Sequence, residues 1–456
     1  MNVIWIVSDT FRRDHLGAYG NNTIHTPALD DLASKAVRFN RHYMASFPTM
    51  PARADFMTGR STMSFMQWEP LSKKELVFAQ LLAGQGIHTA AVVDTPFFVR
   101  NGMYYDRGFK TFIEVPGQFY LATGFDPHRG MMGQASPIRS QYTSFAPQTF
   151  TKAMQWLEYH YKENFVLYVD TWDPHEPWDP PVYYVEPYWP GFDGEIVRPP
   201  YAYWPDVPGF TEEKLKKGHA AYTGKLTMVD TWIGYFLKHV ENLGLMENTA
   251  IIFTTDHGYY FGEHGGLFGK MVFAKDKKGR NVMAIWSHSP FYEEVSALPL
   301  LIYMPGVACA TYDGLTSAID LMPTVLDLLD QEVPHTVEGH SLLPAIRDRS
   351  THGRDYVVSA HPFVNAGGMV RSIDDVSRRA SKASTATVTT DEWSLLYNIE
   401  PGLSELYHLS VDPHQEKNVI SSNTQTAYSL HKLLVEFMRE TKLSKQLMEP
   451  RMELRL

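Results

Sequence analysis

Only one cysteine, Cys309, stands in 456 residues. A single thiol can neither close an intrachain disulfide nor build a cysteine-rich zinc site, which fits a reducing compartment. Long apolar runs are missing as well. The opening run Val3-Ile4-Trp5-Ile6-Val7 is too short for the apolar region of a secretion signal. The later run Leu298-Pro299-Leu300-Leu301-Ile302-Tyr303-Met304 falls well below the roughly 18 residues that cross a bilayer. A cytoplasmic protein with no membrane partner is therefore expected. Positive charge is in deficit, with 41 Lys and Arg against 51 Asp and Glu, a net charge of −10. That balance excludes the broad basic footprint of a nucleic-acid binder, so any polyanion site must be local. Charged residues reach only 20% while aromatics reach 13%, a composition that buries a core and excludes disorder.

What is present has the rhythm of an α/β protein. The length allows two or three domains, or one large α/β domain with an appendage, at about 100–200 residues per domain. Three apolar runs end in acidic residues: Val3 to Val7 before Asp9, Phe165 to Val169 before Asp170, and Ala250 to Phe253 before Asp256. Runs of this kind predict buried parallel strands that open into loops at their carboxyl ends. Helical spacing is expected over Thr26 to Val37, Glu75 to Gly84, Thr149 to Tyr161 and Thr211 to Leu243. The alternation predicts a mostly parallel sheet covered by helices, with ligands collecting outside the carboxyl ends of the strands, where Asp9 and Asp256 fall.

Two stretches break this pattern. Residues 103–147 are aromatic and Gly-rich, and residues 173–209 are crowded with Pro, Tyr and Trp, so both are expected to be irregular. Long segments of this kind shape either a substrate pocket or an oligomer contact, and both uses stay open. A boundary is expected near residue 350. Beyond it, residues 372–386 read as a polar loop, Thr387 to Leu396 as a strand, and Gln425 to Thr441 as a closing amphipathic helix.

Asp9 with the pair Asp256-His257 offers carboxylate oxygen and imidazole nitrogen, a donor set for magnesium, manganese, calcium or zinc. Taken singly, each strand-end Asp reads equally well as a cap. The segment Thr49-Met50-Pro51-Ala52-Arg53-Ala54-Asp55-Phe56-Met57-Thr58-Gly59-Arg60 shifts that balance. It resembles the signature of the sulfatase family in the alkaline phosphatase superfamily, a Cys or Ser followed at fixed spacing by Pro, Arg and Leu-Thr-Gly-Arg. Thr49 takes the nucleophile position and Arg53 that of the motif's arginine.

The resemblance runs nearly the whole chain. Asn2 to Asp9, Asp14 to Gly20 and His25 to Asp30 look like the family's opening, and Asp170 to Pro177 like its His-x-Pro region. Thr255-Asp256-His257-Gly258, Gly262-Glu263-His264-Gly265 and Lys270 look like its second metal segment, and Glu405 to Leu409 with Asp412-Pro413 like a C-terminal landmark. The resemblance implies an alkaline phosphatase-like α/β fold, a mostly parallel sheet sandwiched by helices, over residues 1–350. A smaller α+β subdomain with an antiparallel sheet would occupy residues 351–456. It also implies that Asp9, Thr49, Asp256 and His257 surround one divalent ion, one site being favoured over two. Arg53 would orient Thr49, and Lys270 and His175 would hold the oxygens of the ester, with His175 able to protonate the leaving group. Asp173 and His264 would either hold a second ion or support the first; as plain alternatives, Asp173 forms a turn before Pro174 and His264 bonds within its loop.

Two departures bear on the substrate. Threonine cannot become the formylglycine on which other members rely, because its extra methyl precludes the usual aldehyde. The Gly-Lys-Trp-His-Leu-Gly element is replaced by Val93-Asp94-Thr95-Pro96-Phe97-Phe98, and position 10 is Thr where many members carry a second metal-binding Asp. The resulting expectation is a metal-dependent hydrolase of phosphate esters, diesters or phosphonate monoesters acting through Thr49, similar to the phosphonate monoester hydrolases and phosphodiesterases of the superfamily. Sulfate ester hydrolysis without formylglycine, group transfer to an organic acceptor, and anion binding without turnover are the alternatives. The partner is a small anionic ester, and the aromatic insertions suit either a ring-bearing group on it or a homo-oligomer contact.

Overall fold

The computed structural model describes residues 1–100, 102–115, 117, 125–126, 130–131, 139–275, 281–349, 351–363 and 385–456, with backbone only at 125–126, 130–131, 274–275 and 281–288. An eight-stranded sheet organises the chain. Its strands are β1 (Asn2–Ser8), β2 (Val37–Phe39), β3 (His88–Val93), β4 (Thr111–Glu114), β5 (Phe165–Thr171), β6 (Thr249–Thr254), β7 (Leu300–Tyr303) and β8 (Ala310–Tyr312), in the order β8-β2-β7-β6-β1-β5-β3-β4. Strand β7 alone opposes the rest, pairing antiparallel with β6 and β2. The sheet is therefore mostly parallel, as the continuous apolar runs imply.

Side chains of β1 alternate between two cores, as a two-residue period requires. Val3, Trp5 and Val7 face helices α2 (Thr49–Thr58), α3 (Phe78–Gly84) and α6 (Leu321–Leu328). Ile4 and Ile6 face α1 (Pro27–Ala33), α4 (Phe145–His160) and α5 (Glu212–Asn242). Trp178, Val185, Phe192 and Val197 of the Pro/Tyr/Trp-rich stretch join the second core, so much of that stretch packs the protein itself.

A second, four-stranded antiparallel sheet holds β9 (Val357–Ala360), β10 (Ala386–Thr389), β11 (Trp393–Tyr397) and β12 (Glu405–His408), covered by α7 (Thr424–Glu440).

Three local expectations differ from the structure. The helix expected to reach Val37 ends at Ala33, because Val37–Phe39 is drawn into the sheet beside β7 and β8. Thr387 to Leu396 is two strands: the polar Thr390-Asp391-Glu392 makes a turn closed by Thr390 N–H onto the Trp393 carbonyl at 2.8 Å, which lets Val388 and Leu395 pair in one core. The stretch 103–147 contributes the edge strand β4. The remainder of that stretch at 118–124, 127–129 and 132–138, and the polar loop expected over 372–386 as far as residue 384, lie outside the described residues.

Candidate active site

Strand β1 lies between β6 and β5, and Val7 is in register with both Thr254 and Asp170. Asp9, Asp170 and Asp256 thus emerge side by side at the carboxyl ends of three neighbouring parallel strands, and all three are buried. Helix α2 starts at the same edge. Every one of its residues is buried, Thr49 is its first residue, and no side chain caps it, so its free N–H groups and positive dipole end face the site. Gly59, at φ 62°, ends the helix with its N–H on the Asp55 carbonyl at 2.8 Å.

Arg53 lies one turn beyond Thr49 on the same helix face. Its guanidinium forks onto Asp170 with two 2.7 Å hydrogen bonds. The remaining nitrogen, Nη1, donates to Asp9 at 3.1 Å, to Asp256 at 2.9 Å and to the Thr49 carbonyl at 3.1 Å. Trp172 covers the group from 4.6 Å. One buried cation therefore serves three buried carboxylates. Burial opposes the guanidinium charge, but Asp170 and Asp256 hold its pKa well above the ordinary value.

The carboxylates are not equivalent. Burial and the facing charge of Asp256 push Asp9 well above the ordinary carboxylate range. Asp256 stays well below that range: burial opposes ionisation, but His257 and Arg53 outweigh it. Asp256 Oδ1 accepts from the backbone N–H of Thr10 at 3.1 Å and of His257 at 2.9 Å. Thr10 pays for the first of these with φ 57°, a left-handed conformation that costs a β-branched residue about 1–3 kcal/mol.

His257 Nδ1 meets the Gly258 carbonyl at 2.9 Å. A carbonyl only accepts, so Nδ1 bears the proton and Nε2 turns a lone pair towards Thr49 Oγ1 at 3.5 Å and Asp256 Oδ2 at 3.6 Å. Burial lowers the imidazole pKa to about 3, which keeps that lone pair free.

Ligand atoms of Asp9, Asp256 and His257 lie within 4.8 Å of one another. Asp9 Oδ1 is buried without a hydrogen-bond donor. An orphaned carboxylate oxygen beside a second carboxylate and an imidazole lone pair fits a divalent cation, which would satisfy the oxygen and offset the excess negative charge.

Lys270 and His175, expected to hold the ester oxygens, contact each other, Lys270 Nζ donating to His175 Nε2 at 2.8 Å. His175 Nδ1 faces the Glu176 carbonyl at 2.7 Å, and burial lowers its pKa to about 4. Tyr201 hydrogen-bonds Glu176 and stacks on Phe273 at 4.6 Å.

Asp173 and His264 are held elsewhere. Asp173 Oδ1 pairs with Lys225 at 2.7 Å and its Oδ2 accepts from the Ala146 N–H at 3.1 Å. His264 Nε2 pairs with Glu294 at 2.9 Å while its ring stacks on Tyr292 at 3.6 Å. Neither joins the cluster of Asp9, Asp256 and His257.

Two further residues shape the site. Asp170 carried the same strand-end signal as Asp9 and Asp256, but only the fold reveals that it holds Arg53. Asp55 accepts from Ser46 N, Ser46 Oγ, Thr62 N and Thr62 Oγ1 at 2.6–2.9 Å, which fixes the turn leading into Thr49. Burial still pushes its pKa up to about 7. No local pattern announces that role.

Gly258 allows the metal segment its path. A Cβ there would stand 1.9 Å from the Glu294 carbonyl oxygen, and the Gly258 N–H donates to the Val295 carbonyl at 2.9 Å. Gly258→Ala is expected to lower stability in urea by about 1–3 kcal/mol and to weaken divalent-ion binding, since His257 must move with the backbone. Equal ion affinity in calorimetric titration would show that the contact relaxes elsewhere.

A mostly parallel sheet with a carboxylate–imidazole cluster, a hydroxyl at a helix start, and converging Arg and Lys side chains at its carboxyl edge is an arrangement suited to ester hydrolysis. The sulfatase family profile matches residues 1–331, and that of the N-sulphoglucosamine sulphohydrolase C-terminal region matches residues 285–442. The chain belongs to the sulfatase family. It is similar to an arylsulfatase of Clostridium perfringens, 25% identical over 92% of this chain and 90% of the relative. A multifunctional alkaline phosphatase superfamily protein of Trinickia caryophylli is 24% identical over 76% of this chain and 77% of its own. In fold it is similar to the phosphonate monoester hydrolase of Agrobacterium radiobacter, at TM-score 0.75 and 20% identity, with 96% of each chain covered.

Proposed function

We propose that this enzyme cleaves phosphorus esters, namely phosphate monoesters, diesters or phosphonate monoesters, with Thr49 as nucleophile. The observation that carries the reading is the placement of Thr49 Oγ1 at the buried start of α2, 3.5 Å from the Nε2 of His257, whose ligand atom clusters with those of Asp9 and Asp256. Asp9, Asp256, His257 and the Thr49 oxygen would hold the divalent ion. When bound, such an ion lowers the pKa of the hydroxyl and offsets charge on the ester oxygens.

The chain's own groups complete the reaction. Thr49 enters as the alkoxide, its proton lost to water, and its Oγ1 forms a bond to phosphorus as the bond to the leaving oxygen breaks. Lys270, as the ammonium, gives a proton to that leaving oxygen and becomes the amine. Water then attacks phosphorus, the bond to Oγ1 breaks to restore the alkoxide, and the water's proton returns to Lys270 by way of His175 Nε2. Arg53 holds the start of the helix through the Thr49 carbonyl.

In this reading His175 acts as a neutral imidazole beside Lys270. The ratio kcat/KM is expected to fall as pH drops through about 4, because His175 gains a proton at Nε2 and stops accepting from Lys270. His175→Gln should remove that limb and lower kcat by about 100-fold. An unchanged acid limb in the variant would assign it to another group.

Hydrolysis of sulfate esters is the second reading, favoured by the arylsulfatase among the relatives. Rates on matched nitrophenyl sulfate, phosphate monoester, phosphate diester and phosphonate monoester, with manganese, zinc, calcium and magnesium in turn, separate the two. Preference for a phosphorus ester supports the first, and dominant sulfate turnover overturns it.

A further inference from the structure

The carboxyl edge of the sheet does not exhaust its metal-binding chemistry. His88 opens β3, His160 closes α4, and Glu163 lies in the turn that leads into β5. They meet at the amino-end edge of the sheet, opposite the edge that carries the catalytic residues and roughly 20 Å from it at about 3.3 Å per strand residue. Ligand atoms of the three lie within 4.8 Å of one another. Both imidazoles turn Nδ1 onto one carboxylate: His88 reaches Glu163 Oε2 at 2.6 Å, and His160 reaches Oε1 at 2.8 Å. Hydrogen bonds from His88 and then His160 hold the Glu163 carboxyl below its ordinary pKa, so it is an anion between two donors.

Each ring is also oriented from behind. His88 Nε2 meets Thr111 Oγ1 at 2.8 Å, and His160 stacks on Trp156 with ring centres 4.6 Å apart. A hydroxyl on the far nitrogen is the outer partner that a metal-bound imidazole uses, because it accepts the Nε2 proton once Nδ1 has turned its lone pair to an ion. His88 is buried and Glu163 is exposed, so the triad opens to solvent on one side.

We propose that His88, His160 and Glu163 form a site for a late first-row divalent ion, zinc foremost, distinct from the catalytic cluster. Two imidazoles and one carboxylate favour zinc over magnesium and calcium, with water completing the tetrahedral shell. On binding, the Nδ1 proton of His88 is exchanged for one on Nε2, and the Thr111 hydroxyl turns from donor to acceptor. The ion would fasten the start of β3, the end of α4 and the entry to β5 at one point.

Equilibrium dialysis against zinc, followed by metal analysis of the full chain, tests the site. His160→Ala and Glu163→Gln, at partly or fully exposed positions, are each expected to bind one zinc fewer per chain than the unaltered protein while ester turnover is unchanged. His257→Ala, which disables the catalytic cluster, should keep the zinc that those variants lose, and zinc but not magnesium should raise its thermal midpoint. On that background Thr111→Val should weaken zinc about tenfold. Equal zinc content in the unaltered protein, His160→Ala and Glu163→Gln would overturn the proposal, whatever the ester panel shows about the catalytic reading.

Discussion

Thr49→Ala is expected to lower kcat on the preferred ester by about 10³-fold or more, the scale on which removal of a nucleophile acts when its surroundings remain. The substitution deletes a hydroxyl and a methyl from a buried helix start without touching the backbone bonds of α2, so folding should survive. Thr49→Ser restores the oxygen and should restore turnover, which separates loss of the nucleophile from loss of packing. An acid quench during turnover should find one phosphoryl group on the peptide carrying Thr49, and none in the alanine variant. Undiminished turnover by Thr49→Ala would remove the covalent mechanism altogether and leave attack by water as the route.

The apolar runs and their acidic ends fix much of the sheet and of the site before any tertiary contact is considered. The carboxyl-end positions of Asp9 and Asp256 follow from apolar runs that stop at an acid, because a parallel strand buried on both faces leaves no other outlet for a charged side chain. A mostly parallel sheet covered by helices follows from the same periodicities, though not the end of the helix that stops at Ala33. What stayed hidden depends on contacts between distant segments. Asp170 ends its strand as the other two do, but 117 positions separate it from Arg53, and no spacing rule joins them. Asp173 and His264 were expected either to hold a second ion or to support the first, and their partners, Lys225 on a distant helix and Glu294 some thirty residues on, lie outside any local spacing. The strand expected across Thr387 to Leu396 failed at Thr390-Asp391-Glu392, where alternation continued through a turn that only its polar residues betray.

Arg53 carries the largest expected effect on stability. Its side chain is fully buried, and so are those of its partners Asp9 and Asp256, with Asp170 almost so. The net worth of such a network against apolar residues is small, because desolvation cancels much of the attraction, but deleting one partner strands the others. Arg53→Met keeps an unbranched apolar stem and removes the charge, leaving three carboxylates in a site without their balancing cation. A loss of about 3–5 kcal/mol in urea unfolding is expected. Arg53→Lys should recover only part of it, since an ammonium cannot fork onto Asp170 and reach Asp9 and Asp256 at once. Coupling identifies the cause: Arg53→Met combined with Asp170→Asn should destabilise less than the sum of the two single changes, by about 1–3 kcal/mol. Divalent ions should also stabilise Arg53→Met, because Asp9 and Asp256 then depend on the ion alone for charge balance, with about 2.7 kcal/mol expected at an ion concentration of 100 times Kd. Additive single changes, together with no response to the ion, would mean that the carboxylates escape the missing charge by taking up protons or water, and the electrostatic account of the site would fail with them.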